Sequence, residues 1–471
     1  MNVRSKNRYI NAGSYYLIGN LFNKGIVFLT IPIFTRLLST YDYGIVNTYM
    51  SWVVIAVIIL GMTFTNGIRA AFNDFEENID DFVSSITFLS IITATCISVL
   101  TIISIFIFKL DISIVITLLC LIQGFSLAMV GNYSMYLMMK FEYKKRTLLL
   151  ILPNLLSTIL SIVVIYFFLE NSLYFGRIIS TFLVTSIFGL IVLVLIFRQS
   201  RKLINREYWK YALAISLPII IHGLSLSILS QSDRIMITSL ADASQTGIYS
   251  LIYNFSMVSL VVSASLEGVW VPWFIKKVKN KSYKEINEKV LPYIDIMTIS
   301  SIGIILISPE LLKLMAPSEY WEGTKIIPPI VLSSFVIFIY TIYVNIEHFH
   351  KKTKQIAVNT IIAAFVNILL NLLLIPKFGY VAAAFTTLIS YLVALVLHYR
   401  NARILEPSLF PIKNVVKTFL LLIISMFIFY IFIEDMFIRW FSVFIIIGIV
   451  LFKYKNEIKL LLKGVHTRKI N

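Results

Sequence analysis

Long apolar stretches alternate with short polar gaps along this chain. A hydrocarbon core of about 30 Å takes about 20 apolar residues in a helix. On that measure the pattern predicts spans near 10–35, 44–68, 82–108, 112–138, 148–169 and 173–197. Six more follow near 212–239, 247–273, 290–308, 326–347, 356–375 and 379–399, and a final pair near 414–433 and 438–453. The expected fold is an all-α polytopic membrane protein of about fourteen helices, arranged as six plus six plus two.

The two sets of six share landmarks. An apolar run, a short polar turn and a second apolar run opening on Tyr43-Gly44-Ile45-Val46 in the first half reappear before Gly247-Ile248-Tyr249-Ser250 in the second, with Gly44 and Gly247 203 positions apart. Tyr174-Phe175-Gly176-Arg177 and Lys377-Phe378-Gly379-Tyr380 stand at the same offset of 203, each opening an apolar run. Two landmarks in one register point to an internal duplication. The domains expected from it are 1–205, a first six-helix lobe; 206–405, a second; and 406–471, an extra helix pair with a basic tail.

Composition agrees with a bilayer. The 471 residues are 58% hydrophobic and 14% charged, against roughly 45–50% and about 25% in soluble domains. A formal charge of +17 would suggest nucleic acid in a soluble protein. Here the basic residues fill gaps between spans, so topology explains them and no nucleic-acid partner is expected. With the N-terminus inside, roughly 32 of the 41 Lys and Arg fall in cytoplasmic segments, as the positive-inside rule requires. Both ends are therefore expected in the cytoplasm. Residues 2–9 are basic, but the apolar run behind them exceeds a signal core, so no cleavable signal is expected. Cys96 and Cys120 have no metal or redox spacing. The acidic run 74–81 reads as a solvated loop, and 308–325, with Glu310, Glu319, Trp321 and Glu322, as an interfacial segment.

Charges inside spans are the candidate chemistry, because an ionisable group at the bilayer centre costs about 2.5–3.5 kcal/mol on insertion scales and usually faces a cavity or a partner. Lys24 lies halfway along the first span, on one helix face with Asn20. It either lines a wet cavity or is held by a neighbouring carboxylate. Arg69, three residues after Asn66, either meets an anionic headgroup or snorkels. Asp233 and Arg234 form either an interfacial pair or a gate or ion site. His222, four residues after Pro218, is hydrogen-bonded filler or a proton carrier. Glu267 is a buried carboxylate suited to cation coupling. Arg36 and Arg177 read as outer-interface anchors, and Asp295 and Glu347 as interfacial. Asn367 and Asn371, four apart, are suited to joining helices. The sequence holds no phosphate-binding glycine loop, no metal-ligand cluster and no Ser/His/Asp set, so neither catalysis nor a cofactor is expected.

The stretch Ile31-Pro32-Ile33-Phe34-Thr35-Arg36-Leu37-Leu38-Ser39, with Tyr43-Gly44 beyond it, resembles the polysaccharide-transporter branch of the multidrug/oligosaccharidyl-lipid/polysaccharide exporter superfamily, the O-antigen-type flippases. So do Asp233-Arg234-Ile235-Met236-Ile237 with Gly247-Ile248-Tyr249-Ser250, and the run 367–384. The resemblance covers essentially the whole chain. It implies two six-helix lobes forming a V around a central cavity, alternating access, and export of an undecaprenyl-diphosphate-linked oligosaccharide for surface polysaccharide synthesis. It also implies a bacterial inner membrane, exchange driven by a cation (H+ or Na+), and polysaccharide polymerase or other assembly proteins as partners. No ion-site motif matches specifically. A basic cavity lining such as Lys24 would offset the cost of desolvating a diphosphate.

Three rivals stand beside this reading. A drug/cation antiporter of the same superfamily wants carboxylates deep in the first lobe, where this chain has Lys24. A polysaccharide polymerase or ligase wants a large external loop, and the longest here is under about 20 residues. A lipid II flippase would share the cavity chemistry, but the motifs favour the polysaccharide branch.

Overall fold

The computed structural model describes residues 25, 26, 28–453 and 455. Asn20 and Lys24 lie outside the described residues. Among those described, helices joined by short turns make up the chain, without strands. Its helices are α1 (Phe28–Leu37), α2 (Thr40–Leu60), α3 (Phe64–Asp74), α4 (Ile79–Ile107), α5 (Ile114–Met139), α6 (Tyr143–Phe168) and α7 (Leu173–Gln199). Then come α8 (Arg206–Leu240), α9 (Ala243–Lys279), α10 (Tyr283–Met315), α11 (Ile327–Phe349), α12 (Thr353–Leu405), α13 (Ile412–Ile431) and α14 (Met436–Lys453). Ten spans among the described residues are long and apolar enough to cross a membrane, and shorter apolar helices accompany them.

Each boundary has a local cause. Ser39 caps α2 by accepting the Asp42 N–H at 3.0 Å, and Asn205 caps α8 by accepting from Glu207 and Tyr208, the usual way to satisfy a first-turn donor. Met62 and Thr63, at φ 51° and 47°, break the second span into α2 and α3. α12 holds two predicted spans in one element. Gly379, at φ 58° and ψ −145°, turns the chain between its two arms, a conformation that only glycine adopts without strain.

Hydrogen bonds near the matched landmarks are similar in the two halves, the first pair keeping the offset of 203 and the second, at Tyr174 and Tyr380, standing three positions out of it. Ser39 caps Asp42, and 203 positions later Asp242 caps Gln245 by accepting its N–H at 3.0 Å. Asp42 then accepts the Tyr174 N–H at 3.2 Å, while Gln245 accepts the Tyr380 N–H at 3.0 Å. Each bond ties the second span of a half to the start of its sixth. The two landmark glycines also touch. A Cβ on Gly44 would sit 1.7 Å from the Ala243 carbonyl oxygen, and one on Gly247 2.1 Å from that of Thr40. Only two helices without side chains at these positions can cross so closely.

The chain packs into two compact units. One comprises the described residues up to Ser250 with Thr360–Ala383; the other comprises Leu251–Asn359 with the described residues from Ala384 on. In the first, α2 lies along α5 and α8, and α7 against α5 and α6. Its core gathers Phe64, Phe82, Met129, Tyr136, Ile196 and Tyr208 at the end where α4 and α8 begin. The acidic run beside this core is less free than expected. Helix α4 already starts at Ile79, and Asp80 accepts from Lys140 and Tyr136 at 2.6 Å each. Asp81 accepts from Ser200 at 2.6 Å and Asp74 from Tyr211 at 2.5 Å. These acids tie α5, α8 and the linker before α8 to one end of the unit.

In the second unit α11 is almost wholly enclosed, with α10 and α13 against it, and α14 on α10. Of the segment 308–325, the first part belongs to α10 and the second is a 3-10 turn over Ser318–Ile326; Glu319 and Glu322 are exposed, and Glu310 is half-buried. Arg439 of α14, 1% exposed, binds Glu310 and the backbone carbonyls of Leu306, Phe432 and Ile433. That guanidinium fastens the final helix pair to α10. At the opposite end of α14, Lys453 pairs with Asp295.

Candidate functional site

The strongest polar constellation of the first unit is centred on Asp233. Its carboxylate is 1% exposed although it stands in a membrane-spanning helix. Tyr249, in the second turn of α9, donates its hydroxyl to Oδ2 at 2.6 Å. Asn371 and Asn367, on the first arm of α12, donate to Oδ1 at 2.7 and 3.2 Å. Ser232 donates to Asn367 Oδ1 at 2.9 Å, and so does Asn371 at 3.3 Å. Four apart on one helix face, the two asparagines reach the same acid. Among the described residues, hydroxyl and amide side chains from three helices thus converge on one buried acid. Chemically it can hold a negative charge while protein donors satisfy it, or exchange those donors for a cation or proton.

Hydroxyls extend the polar interior away from the acid. Arg234, 6% exposed, donates to the Ser230 carbonyl and to Gln231 Oε1, each at 3.1 Å. Gln231 in turn accepts from Ser51 of α2 at 3.1 Å. Thr48, Thr238 and Thr246 form a chain with oxygens 2.6 and 2.7 Å apart. Both members of the Asp233-Arg234 pair thus face protein, not an interface with solvent.

The remaining candidates are spread out. Asn66 and Arg69 ride on α3, Arg69 exposed at the end of the unit where α4 and α8 begin. His222 is half-buried on α8, eleven residues before Asp233. Glu267 belongs to the second unit, where it accepts from Ser263 at 3.0 Å. Of the two expected anchors, Arg36 is exposed and folds back on the Pro32 carbonyl at 2.9 Å. Arg177 instead packs inward. Its guanidinium lies 4.0 Å from the centre of the Phe34 ring and donates to Ser161 at 3.0 Å. No cluster of three or more His, Cys, Asp or Glu suited to a metal occurs among the described residues.

Sequence reading named Asp233 and noted the asparagine pair, but it had no signal for Tyr249 and could not join residues 138 positions apart.

A family model described as "Polysaccharide biosynthesis protein" matches residues 11–278. The chain is 24% identical over 209 residues, 43% of its length and 42% of the relative's, to a probable low-salt glycan biosynthesis flippase, Agl15, of Haloferax volcanii. Among solved structures it is similar to the lipid II flippase MurJ in an inward closed conformation, with a TM-score of 0.67 and 15% identity, covering 94% of this chain and 99% of that one. It also resembles an inward-facing multidrug resistance MATE family transporter of the MOP superfamily, with a TM-score of 0.59 and 13% identity, covering 83% and 97%. At such identities the two structures speak for a shared fold.

Proposed function

Because this chain belongs to the polysaccharide biosynthesis protein family, we propose that it is a flippase that moves an undecaprenyl-diphosphate-linked oligosaccharide from the cytoplasmic to the outer leaflet. The relative from Haloferax volcanii, named as a probable low-salt glycan biosynthesis flippase, supports a flippase that serves glycan synthesis. In this reading the protein resides in a bacterial inner membrane with both ends cytoplasmic, and works by alternating access. The lipid tail stays in the bilayer while the charged head crosses. Lys24, with Asn20, offers an ammonium group to the diphosphate, and Asn66, Arg69, His222 and Arg234 contribute further polar contacts along its route. Polymerase or other assembly proteins take the product on the far side.

The observation that carries a transport reading is the Asp233 constellation. A carboxylate in a membrane-spanning segment is kept at a cost and characteristically marks an ion or substrate path. A buried carboxylate met by hydroxyl and amide side chains suits a cation or proton that comes and goes, and we assign cation coupling to it, with Glu267 as a further candidate. The MATE likeness keeps a drug/cation antiporter as the second reading.

Deletion and complementation separate the two. Cells without the protein should lose surface polysaccharide and accumulate lipid-linked oligosaccharide inside, with drug sensitivity unchanged, and re-expression should restore export. Intact polysaccharide together with raised drug sensitivity would replace the flippase by the antiporter.

A further inference from the structure

The second unit holds a buried acid to which nothing above gives a role. Glu347, two residues before the end of α11, was expected at an interface and is instead 0% exposed. His398, on the second arm of α12, is 1% exposed, and its Nδ1 lies 2.6 Å from Glu347 Oε2. The Asn359 amide nitrogen approaches the same Nδ1 at 3.3 Å. Tyr340 stacks on the imidazole with ring centres 5.4 Å apart and planes 18° from parallel. The second carboxylate oxygen, Oε1, is buried without a hydrogen-bond partner among the described residues.

A purely structural ion pair fills its lone pairs, because a buried charge left short of donors is expensive. This carboxylate has one bare oxygen. With neutral imidazole and charged carboxylate, the site carries an uncompensated negative charge in a dry place. One added proton cancels that charge, whether it rides on Nδ1 or on Oε2. The bare oxygen thus makes the empty state costly and the loaded state favourable, until water reaches the pair.

We propose that Glu347 and His398 form a proton-binding site that loads and unloads one proton in each transport cycle. The inference rests on reading the chain as a transporter. Loading takes the proton from hydronium and leaves water; unloading returns it to water. Exchange takes place at the membrane face that carries the turn of residues 350–352, which lies three residues beyond Glu347 in the chain. That turn is basic, with Lys351 and Lys352, and it belongs to the proposed cytoplasmic side.

The surroundings contain few competing groups. His348 is within electrostatic reach of both partners. On α9, Tyr253 and Glu267 are within electrostatic reach of Tyr340, and Tyr293 of α10 is within reach of Glu267. Arg403 reaches Tyr343, one turn before Glu347. His350 and Glu406, 2.9 Å apart, lie nearer the surface, and Lys413 and Lys417 of α13 are exposed.

Infrared difference spectroscopy of the full chain in phosphatidylethanolamine–phosphatidylglycerol vesicles reads the protonation directly. Spectra are taken from about pH 5 to 8, the range in which histidines change charge, with and without sodium. The expected result is a carboxyl or imidazolium signal that titrates in the wild type, is lost in Glu347→Gln and is displaced in His398→Gln. Glu347→Asp keeps a carboxylate and should titrate at a shifted midpoint; melting curves establish that each variant is folded. A wild type with no titrating signal, a signal unchanged in Glu347→Gln, or one that follows sodium rather than pH overturns the proposal. So does full surface polysaccharide in Glu347→Gln cells. Because the spectra need no substrate, a negative spectrum leaves the flippase reading standing, whereas an antiporter phenotype in the deletion strain removes that reading and leaves the proton site intact.

Discussion

Replacing Asp233 by Asn and by Ala separates an ion site from mere helix glue. In Asp233→Ala, the Tyr249 hydroxyl and the two asparagine amides lose the acceptor they now reach at 2.6, 2.7 and 3.2 Å. A buried donor left unsatisfied costs about 1–3 kcal/mol. With partial relaxation the loss is about 3–6 kcal/mol, a large share of the roughly 5–15 kcal/mol that holds a folded protein together. Asp233→Asn behaves differently. Its amide oxygen still accepts from Asn367 and Asn371, and its amino group turns to the Tyr249 oxygen, which can accept. Charge assistance is lost, but so is the desolvation cost of a buried charge, and the two oppose each other. The net change is within about 1–2 kcal/mol. The assay pairs detergent-melting curves with surface polysaccharide in cells, at high and low cation gradient. The expected outcome is a strong melting shift for Ala and a small one for Asn, with export lost in both. Full export by Asp233→Asn with unchanged cation dependence would refute the coupling role and leave the acid as a structural tie.

Other perturbations follow the same logic. Gly44→Ala places a methyl 1.7 Å from a backbone oxygen and 2.9 Å from the Gly247 nitrogen; with no flexible side chain to yield, the cost is at or above the 1–3 kcal/mol of ordinary overpacking, and an unchanged melting temperature would contradict the close crossing. Arg439→Met keeps the stem but strands Glu310 and three carbonyls, a loss of about 3–5 kcal/mol for a broken buried pair; proteolysis between α12 and α13 should accelerate, and wild-type resistance would show that the helix pair is held otherwise. Lys24→Ala should abolish surface polysaccharide at unchanged protein level, Lys24→Arg should retain it if charge alone matters, and normal polysaccharide in the alanine variant would remove Lys24 as a headgroup ligand.

Local patterns were enough for the elements. Span length, the alternation of apolar runs with basic gaps, and two glycine landmarks at one offset gave the helices and their order, because a bilayer imposes a length and a polarity that can be read residue by residue. The break between the two spans predicted near 356–375 and 379–399 was legible from their length, but its place at Gly379 rather than at Pro376-Lys377 came from the structure. The acidic run 74–81 keeps Asp74, Glu76 and Glu77 exposed, but its ties to Lys140, Ser200 and Tyr211 could not be read, because those residues lie 60 or more positions away in sequence. The burial of Glu347 was equally hidden: nothing in its neighbourhood announces His398, 51 positions on.

Whether an ionisable residue in a span meets lipid, water or a partner depends on which helix faces pack together. Asp233 carries the same letter whether it sits at an interface or in a ring of donors. Hydropathy fixed that it lay in a membrane helix, and its i, i+4 asparagine partners were visible as a face looking for a contact. That the face meets Asp233, and that Tyr249 completes the ring, was decided only when α8, α9 and α12 came together. Hydrogen bonds act over about 3 Å, whereas sequence patterns report only on neighbours along one helix.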